Sequence, residues 1–323
     1  MSEASKPVVG VTRKLLGEIE IPGASIRVGG ERDMPREELL EFVSGASGLI
    51  TWVSERVDGE LLDAAGSGLQ VVANHAVGVD NIDLEACRGR GVVVCNTPDA
   101  VTEGTANMAI ALMLAVARRV VEGDQFARSG RWAEHGTLGP ADFIGQDLTG
   151  RTLLIVGAGR IGFATAQRAM AFGMRVLYVA RSRHWEFEQA PMAAERVTLE
   201  EGLSRADVVS LHCPLTSETR HLIDAEALGR MKSRAILINT ARGPVVDEGA
   251  LAEALQEGRI FGAGLDVFEA EPRVDVGLVG LTNVVMTPHI GSAEERYRRE
   301  MTAMVSANVA AVLEGKAPPN RVV

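Results

Sequence analysis

The sequence is poor in cysteine, and the three it has are placed for neither of the usual cysteine frameworks. Cys87, Cys95 and Cys213 are odd in number, scattered, and form no C-x-x-C pair. No disulfide framework and no metal site is therefore expected, and a reducing cytoplasm is the natural setting. Nowhere does an apolar run reach the roughly 18 residues of a membrane span. The N-terminus, Met1 to Pro7, is polar and lacks the apolar core of a signal peptide. Positive charge is also short: 33 Lys and Arg stand against 43 Asp and Glu, a net −10. That balance argues against nucleic acid or an anionic membrane as the main partner, yet leaves room for a local basic pocket. No short-period repeat or low-complexity segment is present. What remains is an ordinary globular composition over 323 residues, enough for about two domains with cores of their own.

The stretch Thr152 to Gly162 organises this chain. Leu153 to Val156 read as a buried strand. Gly157, Gly159 and Gly162 follow as G-x-G-x-x-G, and a helix is predicted from Ile161 to Phe172. Gly157 permits the tight turn, Gly159 lets backbone approach a pyrophosphate, and Gly162 lets the helix pack close to the strand. Arg160 and Ile161 open that helix, whose N-terminus offers N–H groups and a positive dipole end to phosphate. A second strand, Arg175 to Val179, completes a βαβ unit. After it, the acidic residue that would bind the ribose hydroxyls of NAD is missing. The chain reads Ala180-Arg181-Ser182-Arg183, two guanidiniums and a hydroxyl suited to a 2′-phosphate. The alternative is a pair of solvated arginines on a loop.

In chain order, Val8 to Thr12, Ile26 to Val28, Gly48 to Trp52, Leu69 to Ala73 and Val92 to Cys95 read as strands. Pro35 opens a helix through Phe42, and Asp58 reads as the N-cap of another through Ala65. Strand and helix alternate, so a parallel α/β sheet is predicted. Asn96 to Asp99 is a candidate domain crossing. A long helix is predicted from Thr102 to about Phe126, followed by a loop-rich arm to Gly150. Later strands end in His212-Cys213-Pro214, Thr240-Ala241-Arg242-Gly243 and Thr287-Pro288-His289. A final helix, about Ser292 to Glu314, returns to the first domain and makes it discontinuous.

Three ionisable residues follow three late strands. Arg242 is a permanent cation able to clamp a carboxylate and polarise a carbonyl. His289 can give or take a proton near neutral pH. Glu271 could bond the imidazole and favour its charged form. With a dinucleotide, these groups describe hydride transfer to a 2-oxo acid. Each also has a bland reading: a solvated loop arginine, a surface carboxylate, a helix cap.

Thr240-Ala241-Arg242-Gly243, Asp266-Val267-Phe268-Glu269-Ala270-Glu271-Pro272 and Thr287-Pro288-His289-Ile290-Gly291-Ser292 resemble the signatures of D-isomer-specific 2-hydroxyacid dehydrogenases. Ala76 to Asp83 and Asn96-Thr97-Pro98 extend the likeness across nearly the whole chain. The resemblance implies a Rossmann cofactor domain (residues 100–290) and a flavodoxin-like, discontinuous substrate domain (1–99 and 291–323), with the site in the cleft. It implies Arg242 as substrate anchor, His289 as acid/base and Glu271 as its partner. Backbone N–H groups of Val77 and Gly78 would hold the substrate carboxylate, and Trp52 would line and limit the pocket. Thr105, His212, Pro214, Thr240, Asp266 and Gly291 would lie near the cofactor. The segment from about 102 to 150 resembles the family's dimerisation region, so a homodimer is expected.

Within that family the likeness is greatest to glyoxylate/hydroxypyruvate reductases, through Ser54-Glu55-Arg56-Val57-Asp58 and the Arg181-Ser182-Arg183 turn. NADP is the expected cofactor, preferred over NAD. Trp52-Val53 stands where 3-phosphoglycerate dehydrogenases tend to carry Arg-Ser, and the sequence ends at Val323, so no appended regulatory domain is expected. Other D-2-hydroxyacid dehydrogenases, such as the phosphoglycerate or D-lactate types, are the alternative. Nucleotide-sensing scaffolds of the same fold, resembling the transcriptional C-terminal binding proteins, are the different-class alternative.

Overall fold

Short apolar runs that end in polar loops build two parallel sheets. They were traced in a computed structural model that describes residues 6–323; Met1 to Ser5, part of the polar N-terminus, lie outside the described residues. The chain divides into two compact units: residues up to Val101 together with Ser292–Val323, and Thr102–Gly291.

The first unit holds β1 (Val8–Val11), β2 (Ser25–Val28), β3 (Gly48–Thr51), β4 (Val71–Asn74) and β5 (Val93–Cys95). All neighbours are parallel, in the order β2-β1-β3-β4-β5. That is the flavodoxin-like order, with its topological switch point at β1 and β3. Every residue of β3 and β4 is buried, as strands covered on both faces should be. Leu39, Val43, Leu61 and Leu62, from the helices Arg36–Val43 and Gly59–Ala65, pack one face. Val305 and Val309 of the helix Glu295–Leu313 pack the other, against Val9, Ile50 and Val71. The C-terminal helix thus completes this unit, and the expected discontinuity is observed. Asp58 caps its helix by accepting from the Leu61 N–H, as its position in the sequence suggests.

The second unit holds β6 (Thr152–Val156), β7 (Arg175–Val179), β8 (Glu195–Arg196), β9 (Val208–Leu211), β10 (Ile236–Asn239), β11 (Gly262–Leu265) and β12 (Val284–Met286). Their order is β12-β11-β10-β9-β6-β7-β8. This is the doubly wound dinucleotide arrangement with a further strand at one edge, and its switch point lies between β6 and β9. Strand β8 escapes a sequence reading because it is two residues long and exposed.

The helix expected from Thr102 to Phe126 is broken. It runs Thr102–Ala117, then turns by 62° into Val120–Arg128. Arg119 at the break has φ 53, and its guanidinium bonds both carboxylate oxygens of Glu122 at 2.7 Å. A left-handed residue ends a helix wherever it falls, and apolar periodicity alone does not reveal it. The arm beyond also carries a short helix, Arg131–His135, where only loop was expected. Among the described residues no single helix is long and apolar enough to cross a membrane. Thr102–Ala117 is apolar because it is largely buried against the second sheet.

Candidate active site

Both sheets are parallel, so polar residues that follow their strands gather at the carboxyl edges, where open α/β sheets bind ligands. In the second unit the turn after β6 is shaped by its neighbours. Gly157 has φ 103, and a Cβ there would lie 2.6 Å from the Cys213 nitrogen and 2.7 Å from the His212 carbonyl carbon. No other residue type fits the turn. Gly159, the N-cap of the helix Arg160–Ala171, faces open space instead: a methyl group in place of its hydrogen would meet nothing within 4 Å. A Cβ on Gly162 would meet the Gly157 oxygen at 2.4 Å, so the helix sits hard against the strand. Arg160 and Ile161 form its first turn, the end of a helix at which N–H groups are left for a ligand.

Orphaned polar groups follow the next two strands, β9 and β10. The His212 Nδ1 and the Thr240 Oγ1 are buried without a hydrogen-bond partner. Buried polar atoms are normally paired, so a ligand with polar atoms belongs here. His212 is held neutral, its pKa pushed down to about 3 by burial, while its Nε2 meets the Ser210 hydroxyl at 2.9 Å. Pro214 follows on the exposed side of the same strand end. The open glycine, helix N-terminus and orphaned polar atoms fit a dinucleotide.

At the end of β7, Arg181, Ser182 and Arg183 are all exposed. Arg196 on β8 pins the turn by donating to the Ala180 and Arg181 carbonyl oxygens at 2.9 Å each. The two arginines differ in their engagements. Among the described residues Arg181 hydrogen-bonds no carboxylate and acts only by charge on exposed Glu218, whereas Arg183 donates to Glu188 at 2.5 Å.

The ionisable residues expected to carry the chemistry meet on adjacent loops of the same sheet. His289 Nδ1 lies 2.8 Å from Glu271 Oε2. Glu271 Oε1 accepts from the Phe268 N–H at 3.0 Å, which fixes the carboxylate. Burial would raise the Glu271 carboxyl, but the His289 bond and charge, the Phe268 N–H and the nearby Arg242 charge together hold it below the usual range. With a carboxylate at Nδ1, that nitrogen carries the proton, and Nε2 is the atom left to exchange one. Arg242 comes close because Gly243 allows it: a Cβ there would lie 1.9 Å from the Phe268 carbonyl carbon. The Arg242 backbone is held by Asn239, which donates to its carbonyl at 2.9 Å.

Asp266 supports His289 from below. Its buried carboxylate accepts from the Thr287 hydroxyl at 2.6 Å, the Ile290 N–H at 2.9 Å and the Gly291 N–H at 2.7 Å. Burial nevertheless raises its pKa. Asp266 and Gly291 thus shape the loop that presents His289. Thr105, buried on the helix Thr102–Ala117, lies against Gly291.

In the first unit, the loop after β4 is tied down by its carbonyls. Asn96 donates to the Val77 oxygen at 2.7 Å and Asn74 to the Gly78 oxygen at 2.8 Å. The N–H groups of Val77 and Gly78 donate to no group among the described residues. Trp52 is half-buried and stacks on His75, centroids 5.3 Å apart, with the Arg298 guanidinium 4.7 Å from its ring centre. Buried Glu55 accepts from the Trp52 N–H at 2.7 Å and the Thr12 hydroxyl at 2.5 Å. Asn81 donates to the Glu55 carbonyl at 2.9 Å. The supporting roles of Asn74, Asn81, Glu55 and Arg196 escape a sequence reading, because each depends on how a loop turns back on its strand rather than on a local pattern of residue types.

Known proteins share this architecture. Residues 110–291 match the family model described as D-isomer specific 2-hydroxyacid dehydrogenase, NAD binding domain. The glyoxylate reductase of Pyrococcus horikoshii is 48% identical over 328 residues, spanning 98% of this chain and 96% of that protein. The crystal structure of a protein from Thermus thermophilus superposes with a TM-score of 0.91 at 50% identity, over 98% of this chain and 100% of the other. The NADPH-dependent glyoxylate/hydroxypyruvate reductase of Sinorhizobium meliloti, in complex with NADP and malonate, gives 0.82 at 32% identity, over 99% and 97%. With sheet order, glycine turn and matched family model in agreement, the chain belongs to the D-isomer-specific 2-hydroxyacid dehydrogenases and is an oxidoreductase that uses a nicotinamide dinucleotide.

Proposed function

We propose that the protein reduces glyoxylate to glycolate and hydroxypyruvate to D-glycerate, with NADPH preferred over NADH. The observation that carries this reading is the His289–Glu271 pair at 2.8 Å, with Arg242 close enough for its charge to act on Glu271. When bound, the dinucleotide supplies the hydride. Arg242 anchors the 2-oxo acid and stabilises the negative charge that grows on its carbonyl oxygen. His289 delivers the proton from Nε2, and Glu271 orients the ring and balances its positive charge. Val77 and Gly78 offer undonated N–H groups to the substrate carboxylate.

The NADPH preference rests on Arg181 and Ser182, exposed after β7, and on Ala180 where a carboxylate would serve NAD. The likeness to the Pyrococcus and Sinorhizobium reductases supports the substrates. The packed ring of Trp52 favours small ones, so pyruvate should be weaker and phenylpyruvate weakest. We assign dinucleotide binding to residues 100–290 and substrate binding to 1–99 and 291–323, and expect a homodimer joined through the segment from 102 to 150. All three cysteines are free and buried, in keeping with a reducing cytoplasm. The test is steady-state reduction of the four 2-oxo acids with NADPH and with NADH. Equal efficiency with both cofactors would overturn the cofactor assignment, and better turnover of phenylpyruvate than of glyoxylate the substrate assignment. Arg181→Ala should weaken NADPH about tenfold or more and leave NADH nearly unchanged, the effect of losing a charge-assisted contact.

A further inference from the structure

The turn that follows β7 contains an anion at the place proposed to receive one. Glu188, at the end of the short helix Trp185–Glu188, has a side chain only 15% exposed. Its Oε1 accepts from the hydroxyl of Tyr178 at 2.6 Å, and the Tyr178 residue is fully buried in the second sheet. Its Oε2 receives both the Nε and the Nη2 of Arg183 at 2.5 Å. The guanidinium plane is fixed from the other side by Trp185, whose ring centre lies 3.8 Å from the Arg183 Cζ. The bonds from Arg183 and Tyr178 hold the Glu188 carboxyl below the usual range, so it remains charged at any ordinary pH. Arg181, two residues earlier, hydrogen-bonds no carboxylate among the described residues; only exposed Glu218 lies within reach of its charge.

We propose that Glu188 is a specificity-determining residue that limits the preference for NADPH, by holding Arg183 back from the 2′-phosphate and placing a fixed negative charge beside it. The inference rests on the NADPH reading above. A carboxylate anchored on a buried tyrosine is a better partner for Arg183 than a mobile phosphate reached through solvent, because its geometry is already organised. Arg181 and Ser182 are then left to read the phosphate, and Arg183 with Trp185 forms a flat, cationic shelf at the edge of the adenosine site. The discrimination is accordingly smaller than two free arginines would give.

The experiment is calorimetric titration of the full chain with 2′,5′-ADP and with 5′-AMP, which differ only in the 2′-phosphate. Glu188→Gln keeps an acceptor for Tyr178 and removes the charge. It should tighten 2′,5′-ADP about fivefold, the scale of one exposed ion pair released, and leave 5′-AMP unchanged. Adding Arg183→Ala to Glu188→Gln should cancel the gain. Arg183→Ala alone, a change at an exposed side chain that leaves the fold intact, should alter the 2′,5′-ADP to 5′-AMP ratio by less than Arg181→Ala does. An unchanged or weakened 2′,5′-ADP affinity in Glu188→Gln overturns the proposal, as does loss of discrimination in Arg183→Ala alone. The NADPH reading fails separately: a parent that does not distinguish the two nucleotides refutes it, while a gain in Glu188→Gln from that same baseline still supports the role of Glu188.

Discussion

At His289 the backbone has φ 54, a left-handed conformation that a bulky residue adopts at a cost of about 1–3 kcal/mol. The three hydrogen bonds that Asp266 accepts from residues 287 to 291 impose it, and the result aims the ring at Glu271. If His289 is the proton donor, His289→Ala should lower kcat of reduction by roughly 10²–10⁴-fold. Glu271→Gln keeps the shape and removes the charge that the carboxylate sets against the His289 ring. Its kcat of reduction should fall about tenfold or more with KM changed less; parent-like kcat would show that the carboxylate has no such part. The second prediction at this scale concerns His75, buried behind Trp52 with its Nε2 on the Thr302 hydroxyl at 3.1 Å. Burial, then the charge of Arg298, lowers its pKa from 6.5 to about 4. The unfolded chain therefore binds the proton first, and stability is fully present above about pH 6.5 and declines as pH falls towards 4. At pH 5 the loss should be about 2 kcal/mol from this group. Urea unfolding of parent and His75→Phe at pH 7 and pH 5 tests it, the variant losing less. The meeting of His289 with Glu271 near Arg242 was legible because these residues follow successive strands of one parallel sheet. The partners of Asp266 were not, since they lie on a loop 21 to 25 residues away, nor were those of Asn74 and Glu188, which depend on how the loop beside the strand turns back on it.

Among the elements, the strand–turn–helix from Thr152 to Ala171 was read almost residue for residue, because an apolar run and three spaced glycines each have one structural meaning. The helix after Thr102 is shorter than its apolar spacing predicts, because that spacing continues past Arg119, whose left-handed backbone it does not reveal. The glycine turn also separates two kinds of cofactor contact. Gly157→Ala would force a methyl against the end of β9, 2.6 Å from the Cys213 nitrogen, and at φ 103 no relaxation is available without moving the turn. The pyrophosphate lies on this turn in the proposed reading, and it is common to both cofactors. Gly157→Ala should therefore weaken NADH and NADPH by the same factor, at least tenfold, and lower Tm. Fluorescence titration of both cofactors decides the point. A loss confined to one of them would place the pyrophosphate elsewhere.

At the scale of the whole molecule, the segment from 120 to 144 carries several large apolar side chains left exposed. Val120, Trp132 and Ile144 are 54%, 51% and 55% exposed, and Val121 and Leu138 lie in the same segment. Single exposed apolar residues are ordinary, but five large ones within 25 residues of chain are more than an arm left in water would carry, and exposed apolar surface of this kind is what interfaces cover. The surrounding arm has no buried residue in either of its short helices, Val120–Arg128 and Arg131–His135, so little inside one chain holds it in place. Packing against the same segment of a second copy would supply the missing contacts, and a two-fold arrangement does so with one segment used twice. The net charge of −10 opposes association weakly and is screened at ordinary salt. Sedimentation equilibrium should therefore give about twice the chain mass of 34.3 kDa. Trp132→Ser combined with Ile144→Ser should shift the mass towards that of a single chain while near-ultraviolet circular dichroism reports an intact fold. Parent protein that sediments as a monomer at all concentrations, or a double variant that remains fully dimeric, would remove this segment from the interface.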